Sequence, residues 1–146
     1  MANQVYNSFK KDSMIGAINL SADTLKVVLV TSGYGAIPNI IDTHTKYSDV
    51  VATGFEVVGV NYITSGQTLA GVIVSADLVN DKAIFTANQV DWVSSTITAA
   101  GAVIYKVNGT SATSPLIGYV DFGGSKSSSN GDFIIQWNAS GILNLS

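Results

Sequence analysis

Cysteine and arginine are both absent from this sequence of 146 residues, and charged residues of either sign are scarce. Without cysteine the chain can form no disulfide, no cysteine-based zinc site and no thiol nucleophile. Without arginine it lacks the side chain best suited to bidentate contacts with phosphates and bases. Because the formal net charge is also −3, the composition argues against a nucleic-acid partner.

Long apolar runs are missing as well. Lys10 and Lys11 are not followed by a continuous apolar stretch, because Asp12, Ser13 and Asn19 interrupt it. The first twenty residues therefore do not resemble a signal peptide. No window of about 18 apolar residues occurs, so no transmembrane helix is predicted. We expect a soluble protein with no membrane partner, made in a cytoplasm.

The surface of the chain has to be built with few charges. Hydrophobic residues make up 47% of the sequence and charged residues only 12%, about half of the usual share of ~25%. The apolar content excludes disorder, and the length suits a single β-rich domain over residues 1–146. A surface of Ser, Thr, Asn and Gly suits close packing against neighbours, where each buried charge is costly. We therefore predict a stable homo-oligomer, in the first place a trimer.

Short runs rich in β-branched residues, separated by turn signals, predict eight or nine strands. Residues 25–31 form the first clear strand. Residues 69–74 and 83–86 predict a hairpin around Asn80-Asp81, whereas the Ser- and Gly-rich stretch 123–131 predicts a polar loop. This spacing is typical of an antiparallel β-sandwich or a jelly-roll-like domain, so the predicted fold class is mainly β.

An amphipathic stripe at the start of the chain predicts a short N-terminal α-helix over residues 1–16. At 100° per residue, Val5, Tyr6 and Phe9 fall on one side, and Gly16 is a plausible stop. Such an aromatic stripe must dock either on its own sheet or on a neighbouring subunit. The second alternative makes Val5, Tyr6 and Phe9 a candidate assembly interface.

His44 is the first residue to consider for catalysis, because it is the only histidine. Asp42 and Ser48 are close to it in sequence, which would suit a hydrolase. A triad also needs a nucleophile on a strained turn, and no G-x-S-x-G motif occurs. We interpret His44 as a loop histidine.

Three carboxylates, Asp91, Asp121 and Asp132, are predicted near strand ends. Two of them could meet in the fold and act as an acid and a base, or bind a cation. Aspartate at a strand end more often caps backbone amides, and no calcium-loop motif is present. We therefore expect no catalytic residue, no cofactor and no metal.

The two tryptophans allow two interpretations. Aromatic faces stack on sugar rings, so Trp92 and Trp137 could belong to a glycan-binding platform. Each lies in an alternating stretch, however, which favours a place in the core. In particular, the spacing of Phe133, Ile135 and Trp137 predicts one buried face of a strand.

A further signal lies in residues 7–12, 97–106, 113–117, 120–123, 127–133, 137–138 and 141–143. Together these stretches resemble a family of small virion proteins of tailed bacteriophages. The likeness spans most of the chain and is densest from Ile97 to Leu145. It is an overall likeness without a catalytic signature, so it transfers no active residue to this chain.

Within that class, the size and β content resemble a capsid decoration (cement) protein. The resemblance implies a protein on the outer capsid surface of the virion, made in the host cytoplasm, that clamps subunits of the major capsid protein as a trimer or a dimer. The alternative is a tail or surface-fibre module that recognises a host glycan. A third possibility, a glycan-degrading enzyme, would require a catalytic carboxylate.

Overall fold

The computed structural model describes residues 2–138 and 140–145. The chain is mainly β, and its antiparallel sheets form a β-sandwich-like domain, which confirms the predicted fold class. The strands are β1 (Ala2–Val5), β2 (Leu25–Val30), β3 (Gln67–Thr68), β4 (Ile73–Asp77), β5 (Lys82–Thr86), β6 (Val90–Lys106), β7 (Leu116–Ile135) and β8 (Leu143–Leu145). The helices are α1 (Asn7–Met14), α2 (Ser32–Gly35), α3 (Ile40–Thr43) and α4 (Tyr47–Thr53), with a 3-10 turn at Ser111–Thr113.

A long hairpin of β6 and β7 occupies the middle of the five-stranded sheet, whose order is β1-β7-β6-β2-β3. β6 has 17 residues and β7 has 20. Their pairing runs from Val90 opposite Ile135 to Tyr105 opposite Leu116, with register shifts at four places. Such shifts mark bulges, which bend and twist a strand without ending it. The bulges therefore explain why the structure has two long strands, β6 and β7, where the sequence pattern indicates several short ones.

The polar loop predicted at 123–131 is wrong, because this stretch is part of β7. Two hydroxyl pairs join it to β6: Ser95 Oγ to Ser128 Oγ at 2.8 Å, and Thr98 Oγ1 to Ser127 Oγ at 2.9 Å. Ser127 and its neighbours in this stretch are largely exposed. Because both faces of this stretch are largely exposed, neither face needs apolar residues, and the sequence carries no apolar alternation.

The N-terminal helix predicted over residues 1–16 is also wrong at its start. Ala2–Val5 is the strand β1, which pairs antiparallel with β7 from Ala2 opposite Asp121 to Val5 opposite Gly118. Tyr6 keeps an extended backbone, and only Asn7–Met14 is helical. The reason is that β7 would otherwise have an open edge here, and pairing satisfies the backbone groups of both strands.

The core contains both tryptophans and all six tyrosines. Trp92 packs edge-on against Phe133, with ring centroids 6.2 Å apart. Phe133, Ile135 and Trp137 are all buried, as their spacing predicted. Trp137 lies just beyond the end of β7, and its Nε1 donates a hydrogen bond to the carbonyl of Asn88 at 3.0 Å. The tryptophans therefore hold the end of the central hairpin inside the fold.

The second sheet has three strands in the order β4-β5-β8. The hairpin expected around Asn80-Asp81 is present, with Ile73 opposite Thr86 and Asp77 opposite Lys82. This sheet approaches β7 closely, because a Cβ added at Gly118 would lie 2.7 Å from a methyl carbon of Leu143. Glycine at 118 therefore allows the two sheets to touch, and β4 is left as an outer edge.

Candidate functional site

His44 does not meet the residues that suggested a hydrolase. Its Nδ1 shares a hydrogen bond of 3.0 Å with the hydroxyl of Tyr34, which in turn lies 2.6 Å from the hydroxyl of Tyr6. Asp42 instead accepts a hydrogen bond from the side chain of Asn7. No hydrogen bond among the described residues joins His44 to Asp42. The histidine is thus one end of a chain of buried tyrosine hydroxyls.

Two of the three candidate carboxylates, Asp91 and Asp132, meet across the central hairpin. Asp91 lies opposite Ile134, so Asp132 is its diagonal neighbour on the same face. Partial burial, and then the negative charge of Asp132, raise the pKa of Asp91 above its ordinary value. Asp121 lies apart and accepts a hydrogen bond from the Gly123 amide at 2.8 Å. The pair lies beside the exposed side chain of Ile134.

Replacing Asp91 with asparagine is expected to raise the melting temperature at pH 7. The folded chain holds the Asp91 proton more tightly than the unfolded chain, because its pKa is raised on folding. The associated stability is therefore full at acid pH and is lost as the pH rises through the raised pKa. Asparagine does not ionise, so the variant avoids this loss of stability. Its gain in melting temperature over the wild type should therefore shrink as the pH falls towards 3. Thermal unfolding of both proteins across this range measures it.

Asp81→Asn is the matched control, since Asp81 is an exposed turn residue in a left-handed conformation that asparagine also adopts. It should leave the melting temperature unchanged at every pH. Equal melting temperatures for the Asp91→Asn variant and the wild type at pH 7 would show that the two carboxylates do not repel each other.

The candidate interface at Val5, Tyr6 and Phe9 is corrected by the structure. Tyr6 is 0% exposed and Phe9 is 2% exposed, and Val5 is partly buried against the same core. The aromatic stripe therefore docks on the chain's own sheet, which was the other alternative. The reason is the strand β1, which carries Tyr6 directly onto β7 and leaves no free aromatic face.

The exposed apolar surface lies elsewhere, in a part of the chain without charge. Residues 57–76, termed the uncharged segment, contain no Asp, Glu, Lys or Arg. Together with the turn that follows β4, the segment carries more than half of the exposed large apolar side chains of the described residues. These are Val58, Val60, Ile63, Ile73, Val74, Leu78 and Val79. Such a concentration of exposed apolar side chains in one part of the sequence makes this part a candidate interaction surface.

Glu56 anchors the beginning of the uncharged segment. Its carboxylate accepts hydrogen bonds from the hydroxyls of Tyr47 and Tyr62 and from the Ser65 amide, the last two at 2.8 and 2.9 Å. The Tyr105 hydroxyl donates to the Ser65 carbonyl at 2.8 Å. Burial raises the pKa of Tyr105 to about 12, and the charge of Glu56 adds to this. These tyrosines therefore remain protonated at neutral pH, and their hydroxyls stay available as hydrogen-bond donors.

Beyond Glu56, the segment forms an exposed apolar loop, defined here by Val58, Val60 and Ile63. Val60 makes two backbone hydrogen bonds of 3.2 Å with Thr96, in an isolated bridge to β6. The loop is therefore fixed against the central hairpin, although Val58 is 95% exposed. A fixed apolar loop loses little conformational freedom on contact with a partner, which favours binding.

Sequence patterns alone did not identify this surface. Val57, Val58 and Val60 form a β-branched run that is equally typical of a buried strand, and only Val57 of the three is buried. The lack of charge in residues 57–76 was the one available signal, since an exposed segment without charge is unusual.

Within residues 2–138 and 140–145, no cluster of three or more His, Asp or Glu side chains could hold a metal ion. No helix in the same part of the chain is long and apolar enough to cross a membrane.

Comparison of the chain with models of protein families, with curated proteins and with solved structures finds no match.

Proposed function

We propose that this chain is a structural protein of a tailed-bacteriophage virion, and that it acts as a capsid decoration protein. In this role it lies on the outer surface of the head, is made in the host cytoplasm, and clamps neighbouring subunits of the major capsid protein. The sequence resemblance, which is densest over residues 97–145, supports the virion setting.

The observation that carries the proposal is the uncharged segment with its exposed apolar side chains. A protein that clamps a lattice needs apolar contact area without charges that would have to be desolvated. The apolar loop offers such an area, and Glu56 with its tyrosine partners fixes it in place. Weak contacts repeated over the symmetric shell add up to strong attachment. The composition supports the same role, because charged residues make up only 12% of the chain.

The glycan-binding alternative receives less support. A sugar platform needs exposed aromatic rings, and both Trp92 and Trp137 are buried. Within the part of the chain that the structure describes, Phe55 is the one aromatic side chain among the exposed large apolar residues. A single ring that is 36% exposed, beside an apolar loop, suits contact with a protein better than stacking on a sugar chain.

A charge placed on the apolar loop should weaken capsid binding. Val58→Asp is expected to reduce the affinity for capsids that lack the protein by tenfold or more, because burying an unpaired carboxylate is costly. A tenfold loss corresponds to ~1.4 kcal/mol per binding event. Val58 makes few contacts within the chain, so the melting temperature should not change. Co-sedimentation with capsids of the phage that encodes the chain measures the affinity.

Ala112→Asp is the matched control for the added charge. Ala112 is exposed in the turn that joins β6 to β7, whereas Thr96 lies well inside β6, away from that turn. This variant should bind capsids as the wild type does. Unchanged binding of the Val58→Asp variant would contradict the loop's role, and a wild-type chain that does not bind capsids would contradict the proposed function.

A further inference from the structure

The outer strand of the small sheet is an open edge. β4 pairs with β5 on one side, and no other strand of the described chain lies on its second side. Among the described residues, no backbone hydrogen bond links Ile73–Asp77 to any segment except β5. Alternate N–H and C=O groups of an edge strand point outwards, so β4 presents a row of unused donors and acceptors.

This edge lacks the features that normally prevent pairing. Proteins protect open edges with lysine, proline, a bulge or an inward-pointing charge. β4 contains none of these residues before Asp77 at its end, and its pairing with β5 has no register shift. Ile73 and Val74, on opposite faces of the strand, are both substantially exposed. An unprotected apolar edge of five residues fits another β-strand.

We infer that β4 of one copy pairs antiparallel with β4 of a second copy, joining two small sheets into one of six strands. The inference deepens the proposed structural function, on which it rests for the need to assemble. A two-fold axis requires a surface that complements itself. Pairing centred on Ser75 places Ser75 opposite its own copy and Val74 opposite Ala76, so that apolar residues of the two copies meet on one face.

The charges at the end of the strand are compatible with this pairing. Asp77 of each copy would lie opposite Ile73 of the other, so the two carboxylates are four residues apart along the sheet. At about 3.4 Å per residue this is ~14 Å, which exceeds the screening length of ~8 Å at physiological salt. Asp77 also keeps its own partners, since the amides of Val79 and Asn80 donate to it. No like charges therefore oppose each other at the joint.

The position on the two-fold axis gives a sharp test. Ser75→Lys would place two ammonium groups directly opposite each other, which disfavours pairing. The side chain of Ser75 is exposed, so the single chain should still fold with an unchanged melting temperature. Light scattering from micromolar to submillimolar concentration should give about twice the 15.2 kDa chain mass for the wild type. It should give the single-chain mass for the variant.

A matched pair of variants separates self-pairing from other effects of charge. Ser125→Lys makes the same change at an exposed position of β7, in the other sheet, and should leave the wild-type mass unchanged. Ser75→Glu alone should also give single chains. An equimolar mixture of the Ser75→Lys and Ser75→Glu variants should recover the double mass, because opposite charges then meet across the axis.

Three results would overturn the inference: a wild-type chain that stays single at submillimolar concentration, an oligomer of any size that survives Ser75→Lys, or a mixture that does not reassociate. Capsid binding distinguishes this outcome from failure of the proposed function. A chain that binds capsids but does not self-associate refutes the β4 pairing alone. A chain that pairs through β4 but ignores capsids refutes the decoration role alone.

Discussion

Replacing Trp92 with alanine is expected to lower the free energy of unfolding by ~3–5 kcal/mol. Trp92 is 2% exposed and is among the largest fully buried side chains. Its ring packs edge-on against Phe133 and stacks near Tyr62, with centroids 6.2 and 6.0 Å away. Alanine would lose these contacts and leave a cavity in the central hairpin, which its strand pairing prevents from collapsing. Denaturant titration followed by circular dichroism measures the loss.

The neighbouring residue provides the control. Val93 lies beside Trp92 on β6 but is 59% exposed. Val93→Ala should therefore change the free energy of unfolding by no more than ~0.5 kcal/mol. A loss below ~1 kcal/mol for Trp92→Ala would mean that the ring is not enclosed. It would contradict the place of Trp92 at the centre of the core.

Replacing Glu56 with glutamine is expected to cost about 1.5–3 kcal/mol of unfolding free energy, the range for hydrogen bonds to a charged group. Both carboxylate oxygens accept hydrogen bonds, one from Tyr47 and the other from Tyr62 and Ser65. Glutamine has the same shape but only one acceptor oxygen. Its NH2 group must therefore face either the hydroxyl of Tyr47 or the donors of Tyr62 and Ser65. Because Glu56 anchors the uncharged segment, the same change should also weaken capsid binding.

Tyr47→Phe tests this anchor from the partner's side. It removes one hydroxyl and keeps the ring stacked on Tyr105, at a centroid distance of 4.4 Å. The double variant with Glu56→Gln should lose less than the sum of the two single variants, because Tyr47 and Glu56 share a hydrogen bond and the two changes are therefore coupled. Strict additivity, or a loss below ~0.5 kcal/mol for Glu56→Gln, would contradict the anchor.

The elements that the sequence predicted well are those with an apolar signal of their own. β2 and the β4–β5 hairpin have β-branched runs bounded by turn residues. β2 and β5 are present near the expected bounds, whereas β4 is Ile73–Asp77 instead of the predicted 69–74. The fold class follows from the same signal. Buried positions such as Ile135 and Trp137 were also predictable, because alternation along a half-buried strand reports directly on burial.

Other elements depend on distant partners, and local patterns cannot reveal them. Ala2–Val5 is a strand because β7 offers it an edge more than a hundred residues away in sequence. The middle of β7 is a strand because β6 pairs with it through Ser95 and Thr98, although glycine and serine have little preference for strands. In both cases tertiary pairing overrides the local preference of the residues.

The candidate site was partly predictable for a similar reason. The sequence predicted Asp91, Asp121 and Asp132 near strand ends, but only the register of β6 and β7 brings Asp91 and Asp132 together. The three hydrogen bonds to Glu56 and the exposure of Val58 depend on the route of the chain between α4 and β3. That route has no periodic pattern, so no sequence signal describes it.

Cryo-electron microscopy of intact particles of the phage that encodes this chain tests the decoration role most directly. The account predicts density for this fold on the outer face of the head, with the apolar loop of Val58, Val60 and Ile63 against the major capsid protein. Density for the chain on the tail, or its absence from purified particles, would contradict that role.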